Sequence, residues 1–156
     1  MIYAKWLRGD EDLSQAYAVR EAVFVREQGF AAEIEQDETD LRAAHALLID
    51  EDGQPAGTAR LFIDEEGYWH IGRVCVLKEK RGKHLGDLLM RMVLDKALRA
   101  GAKHFRLGAQ ADKLPFYEKY GFWPYGEPYL DEGVPHLHME ADEDSVREKV
   151  FGGCEA

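Results

Sequence analysis

The polar and apolar positions of this 156-residue chain change period several times, and each change marks an element. Leu13, Ala16, Tyr17, Arg20, Val23 and Phe24 recur at helical spacing behind Asp12, a natural N-cap, so residues 12–28 are expected to form an amphipathic helix ending near Gly29. One strand is expected ahead of it. Glu33 to Asp40 reads as an acidic loop. His45–Ile49, Ala56–Ile63 and Trp69–Val76 are strand-like, and the Asp50-Glu51-Asp52-Gly53 and Asp64-Glu65-Glu66-Gly67 turns between them predict an antiparallel meander.

From Lys83 the period lengthens. Leu85, Leu88, Leu89, Met92, Val93, Lys96 and Ala97 mark one face of a helix that stops at Gly101. His104–Ala109 is a further strand, parallel to the one before because a whole helix intervenes. A short helix follows, with Pro115 in its first turn and its end at Gly121. Phe122–Pro124 and Pro135–Glu140 are expected to pair across a loop from Gly126 to Gly133. The fold class is therefore α/β (α+β), with a single domain over residues 1–140 and an acidic helical tail over 141–156.

Composition narrows the function classes. With 46% apolar and 32% charged residues, and no run of eighteen apolar residues, the chain reads as a globular domain rather than a disordered or membrane-spanning one. Cys75 lies in an apolar run and Cys154 in a Gly-rich tail, which suits a reduced compartment. The opening residues lack the apolar core and cleavage site of a signal peptide, so a cytoplasmic location is expected.

A net charge of −10 argues against general nucleic-acid binding. The charge is unevenly spread, with 10 basic and 3 acidic side chains in residues 73–106 against 6 and 16 in residues 1–72. Arg91, Lys96, Arg99 and Lys103 read as solvation of a helix face, whereas Lys78, Lys80, Arg81 and Lys83 point to a local anion site.

Arg81-Gly82-Lys83-His84-Leu85-Gly86 follows a strand and opens a helix. Uncovered amides, the positive end of the helix dipole and flanking cations suit a phosphate there, with Gly82 and Gly86 allowing close approach. Neither GxxxxGK[ST] nor GxGxxG is present. On spacing alone an ordinary turn before a helix is an equal alternative.

This turn, preceded by Arg73-Val74-Cys75-Val76 and followed by the Leu-Leu-Met helix, resembles motif A of the GNAT superfamily of acyl-CoA-dependent N-acetyltransferases. Phe116-Tyr117-Glu118-Lys119-Tyr120-Gly121-Phe122 resembles motif B of that superfamily. Arg20 to Gly29 and Glu132 to His136 further resemble its ElaA/YjcF-like branch, and the likeness covers roughly residues 1–140. The resemblance implies a mixed central sheet of about six to seven strands flanked by helices, in which strands 4 and 5 splay apart.

By that resemblance the backbone of Val74, Cys75 and Val76 binds the pantetheine arm of acetyl-CoA, and the amides of Arg81, Gly82, Lys83, His84, Leu85 and Gly86 cradle its pyrophosphate. His84 departs from the pattern, which has a small Gly there. Its amide can still donate, while its imidazole adds bulk beside the phosphates or, protonated, helps hold them. Tyr117 matches the position that protonates the departing thiolate, and Gln110 a polar position on the CoA arm.

The acceptor side is left open by the sequence. Gln28, Asp37, His45, Arg73 and His136 are candidate substrate contacts, with Asp40 a further pocket group. Glu33, Asp37, His45, His136 and His138 are candidate bases. Arg20, Arg26 and Arg73 would equally suit an anionic acceptor. His136 and His138 share a strand face, but no third ligand has motif spacing, so no metal is expected. Cys75 reads as a core residue rather than an acyl-accepting nucleophile.

The expected activity is direct acetyl transfer from acetyl-CoA to a small-molecule amine or amino sugar, with no nucleic-acid or membrane partner and a homodimeric assembly. The alternatives are an acyl-CoA-binding protein without efficient catalysis and, ranked last, an acyl-homoserine-lactone synthase.

Overall fold

In the computed structural model the described residues are 1–152, without the side chains of Glu33 and Ile34; Cys154 and the Glu33 carboxylate therefore lie outside the described groups. Seven strands form one sheet in the order β1-β2-β3-β4-β5-β7-β6. They are β1 (Tyr3–Arg8), β2 (Ala44–Ile49), β3 (Pro55–Ile63), β4 (Trp69–Val76), β5 (His104–Gln110), β6 (Trp123–Asp131) and β7 (Val134–Asp142). β1 with β2 and β2 with β3 are antiparallel. β4 and β5 are parallel, in register at Trp69 with Phe105 and His70 with Arg106, near where both strands begin.

Helices flank the sheet. α1 (Ser14–Arg20) runs directly into a π-helical segment, Glu21–Glu27, which the periodicity had expected as plain α-helix. In this stretch the amide of Gln28 donates to Val23 O at 3.0 Å, five residues back, before Gly29 ends the run at φ +84°. Such widened turns concentrate at functional sites. The N-cap is Leu13 and not Asp12, which stands one residue earlier and accepts the Ser14 amide at Oδ1 at 3.0 Å.

The two meander turns form as expected and by one device. Asp50 Oδ1 accepts the amides of Asp52 and Gln54, and Asp64 Oδ1 those of Glu66 and Tyr68, while Gly53 and Gly67 supply the left-handed residue.

Two expectations are corrected. Residues 33–40 are not a loop: α2 (Ala32–Glu35) and a 3-10 turn (Glu38–Leu41) occupy them, the second closed by a capping box between Asp37 and Asp40. Nor is 126–133 a loop, because β6 continues through a register irregularity between Tyr125 and Tyr129 and pairs with β7 as far as Asp131. Pro124, Gly126 and Pro128 disguise this strand, and an edge position tolerates them.

α3 (Leu85–Arg99) buries Leu85, Leu89, Met90, Val93, Leu94 and Ala97, a stripe turned slightly from the expected one, with Leu88 and Met92 half-buried and Lys96 exposed. Its outer face carries the Arg91–Asp87 and Arg99–Asp95 pairs, as a solvated face should.

The chain divides into two compact units, Met1–Phe62 with Ile71–Val93, and Ile63–His70 with Leu94–Ala156. In the first, Val19, Val23 and Cys75 form a core cluster with Phe24 and Leu77 packed on it. In the second, Phe105 and Phe122 meet edge to face at 6.2 Å, and α4 (Leu114–Glu118) carries Pro115 in its first turn. There β7 continues past residue 140 to Asp142, and α5 (Glu143–Val146) follows with Val146 fully buried.

Candidate functional site

The first unit holds the turn at residues 81–86. Gly82 has φ +82° and His84 φ +62°, two left-handed residues at alternate positions just ahead of the fifteen-residue α3. The first amides of a helix have no partner within it. A Cβ built on Gly82 meets nothing within 4 Å, and Lys83 and His84 are exposed, so the turn is open where a bulky anion would approach. The glycine usual at position 84 in the resembled motif now has a physical reason, because the backbone there is left-handed. Arg81 differs from the expectation that its charge faces a phosphate. Its Nη1 and Nη2 donate to the two carboxylate oxygens of Glu27 at 2.8 and 2.7 Å, and its Nε donates to Val76 O at 3.0 Å.

Just upstream lie Val74, Cys75 and Val76. Cys75 is buried, and burial pushes its thiol well above the ordinary thiol range, which suits the core reading and not a nucleophile. The strand is crowded on one side, since a Cβ on Gly57 would stand 3.2 Å from Cys75 O and 3.2 Å from Leu89 Cδ1.

The same unit contains an ion-pair network that joins α1, the 33–40 segment, β3 and β4. Arg20 donates through Nε to Glu35 Oε2, through Nη2 to Glu35 O at 2.8 Å, and through Nη1 and Nη2 to the two oxygens of Asp40 at 2.9 and 3.1 Å. Arg60 Nη1 bridges Asp37 Oδ1 at 2.7 Å and Asp40 Oδ1 at 3.0 Å. Arg73 Nε reaches Glu35 O at 3.0 Å and its Nη2 reaches Asp37 at 3.3 Å. Three guanidinium groups thus face three carboxylates, which is how charge tolerates burial.

Two expectations fail against this geometry. Arg20 and Asp40 are each 1% exposed and saturated by one another and by their neighbours, so neither is a pocket group. Burial opposes the charge of Asp40, but the hydrogen bonds and charge of Arg20, and those of Arg60, outweigh it and hold its carboxyl at about 2. Asp37 and Arg73 form the accessible rim, with side chains 37% and 27% exposed. Burial raises the Asp37 carboxyl, yet Arg60 and Arg73 draw it below the ordinary value, so it remains an anion. Burial lowers Arg73, and Arg60 and Arg20 add to the effect. Arg73 also has φ +51°, a left-handed residue inside a strand, which is the kind of strain that collects at functional positions.

His45 is buried beside this network. Burial lowers its imidazole, and its Nε2–H donates to Asp40 O at 2.9 Å, so the ring is neutral with an acceptor at Nδ1. That Nδ1 has no hydrogen-bond partner among the described residues. Gln28 is exposed at the end of the π-helical segment. Arg60 and Glu27 were missed as site members. A lone arginine between Ala59 and Leu61 in an apolar run was the available signal, since a buried charge demands partners.

The second unit holds the remaining candidates. Tyr117 is half-buried, edge-on to Phe116 at 5.0 Å and to Phe122 at 6.5 Å. Gln110 and His136 are cross-strand partners. His136 Nδ1–H donates to Val134 O at 2.8 Å, and its ring lies 5.5 Å from Tyr129, which stacks on His138 at 4.5 Å. The two histidines thus share a face, as their spacing requires, and that face is tyrosine-lined. Among the described residues no group of three His, Cys, Asp or Glu side chains is placed to hold a metal ion. Nor is any helix among them long and apolar enough to cross a membrane.

With this geometry in place, comparison with known proteins gives consistent relatives. The GNAT acetyltransferase domain family matches residues 10–143. The chain is 38% identical over 136 residues to the uncharacterized N-acetyltransferase YjcF of Bacillus subtilis, covering 86% of this chain and 96% of that protein. Among solved structures it resembles an acyl-CoA N-acyltransferase from Pseudomonas aeruginosa, with TM-score 0.81 and 30% identity over 90% of this chain and 99% of the other. It also resembles Escherichia coli ElaA, with TM-score 0.79 and 34% identity over 91% of this chain and all of the other, 100%.

Proposed function

Because the chain belongs to the GNAT acetyltransferase family, we propose that it transfers an acetyl group from acetyl-CoA directly to the amine of a small molecule, within a ternary complex. The observation that carries this reading is the open turn at 81–86, where left-handed Gly82 and His84 lead into the uncovered amides of α3. Those amides hold the pyrophosphate, Lys83 adds charge, and the backbone of Val74 to Val76 pairs with the pantetheine arm. Gln110 supports that arm.

The acceptor ammonium first gives a proton to solvent. The neutral amine nitrogen then adds to the thioester carbon, the C–S bond breaks and the CoA sulfur leaves as a thiolate that Tyr117 protonates. The proton shed by the new amide nitrogen returns to the tyrosinate through solvent. Asp37 anchors the incoming ammonium: its lowered pKa makes it a good anion and a poor base. Arg73, Gln28 and His136 are further acceptor contacts, and His45, whose Nε2–H donates to Asp40 O, backs the network that holds Asp37.

Calorimetric titration with acetyl-CoA, followed by a CoA-thiol release screen over polyamines, amino sugars, amino acids and lysine peptides, tests the proposal. Binding with amine-dependent release supports it and names the acceptor class. Binding without release from any amine would favour an acyl-CoA-binding protein, and no binding would overturn the reading of the turn.

A further inference from the structure

The pair Glu27–Arg81 is not accounted for by the stability of the fold. Glu27 ends a helical segment, where the dipole disfavours an acid, and its natural position there would be taken by a base. Both side chains are substantially exposed, 33% for Glu27 and 41% for Arg81, and exposed ion pairs contribute little to folding. The geometry is nonetheless well defined, with two parallel contacts to the carboxylate and a third from Nε to Val76 O at 3.0 Å.

These three bonds link the end of β4, the first residue of the anion turn, and the last residue of the π-helical segment before Gln28. They also commit the Arg81 guanidinium to the protein itself. We propose that Arg81 is a positioning residue rather than a phosphate ligand, and that Glu27, by fixing it, sets the conformation in which the 81–86 turn receives the cofactor. The inference rests on the reading that this turn holds the phosphates of acyl-CoA.

The sign of one mutant effect separates the two roles. Were Arg81 a phosphate ligand restrained by Glu27, Glu27→Ala would release it and CoA would bind more tightly. As a positioning pair, Glu27→Ala weakens CoA about three- to tenfold, Arg81→Ala does the same, and the double variant is no worse than the weaker single. Glu27→Gln, which keeps the shape and loses the charge, falls in between. Melting temperatures of the Glu27 variants stay close to wild type, and S-acetylpantetheine, which lacks the phosphates, competes equally well in all of them.

The measurement is isothermal titration of the purified chain and its variants with CoA, with a melting curve on each sample. Unchanged or tighter binding by both Glu27 variants while wild type binds CoA would overturn the positioning role alone. Failure of wild type to bind CoA would overturn the reading of the turn and this inference with it.

Discussion

Arg20 and Asp40 meet at two points, Nη1 to Oδ1 at 2.9 Å and Nη2 to Oδ2 at 3.1 Å, with neither side chain more than 1% exposed. Removing one member of such a pair strands the other in a low-dielectric interior. Asp40→Ala is expected to destabilise the protein by about 3–5 kcal/mol, because Arg20 and Arg60 both lose a partner. Chemical denaturation of the variant checks this. A loss below about 1 kcal/mol would show that water reaches the network and solvates the arginines.

The same residue shapes the acid limb of stability. Asp40 titrates at about 2 in the folded chain against an ordinary value of 3.8, so its contribution is complete above the ordinary value and disappears as pH falls through the folded one. The difference corresponds to about 2 kcal/mol, lost between roughly pH 4 and 2. Asp37, also lowered, adds in the same direction. Stability measured against pH should fall steeply in that window for wild type and less steeply for Asp40→Asn. Parallel curves would contradict the assignment.

At His84 the backbone has φ +62°, and a residue with a Cβ is disfavoured there. His84→Gly is expected to stabilise the chain by up to about 1 kcal/mol, the relief of strain being partly offset by glycine's greater unfolded-state entropy. CoA affinity should be retained or increased, since the backbone amide at position 84, which we propose faces the phosphates, is unchanged. A clear loss of affinity would mean that the imidazole itself holds the ligand.

Tyr117→Phe removes one oxygen and leaves the ring contacts with Phe116 and Phe122 in place. Turnover is expected to fall by more than about tenfold with acetyl-CoA affinity unaltered, as loss of a proton donor requires. Steady-state kinetics with a responsive amine decides the matter. Wild-type turnover would assign Tyr117 to packing alone.

Much of the local architecture was legible along the chain. The turns at Asp50 and Asp64 form because an aspartate can accept the amides two and four residues on, and a glycine stands ready for the left-handed position. The end of α3 near Gly101 and the open turn at Gly82 follow equally from neighbours in sequence, which is why the resemblance to a phosphate-binding motif was readable there. β6 was only partly readable, because its prolines and Gly126 look like a loop until β7 lies beside them.

The ion-pair network was of another kind. Asp37 and Asp40 were visible as an acidic run, but Arg60 stands 23 and 20 residues away from them, and Arg81 lies 54 residues from Glu27. By itself the sequence determined most of the elements, the two aspartate–glycine turns and the left-handed turn at Gly82, each governed by backbone preferences over a few residues. Only the tertiary structure decided which charges are sealed by partners, namely Arg20 and Asp40, and which stay accessible at the rim, namely Asp37 and Arg73. The reason is physical: the fate of a charge depends on burial and on the groups brought to it across the fold, and neither is a property of its neighbours in the chain.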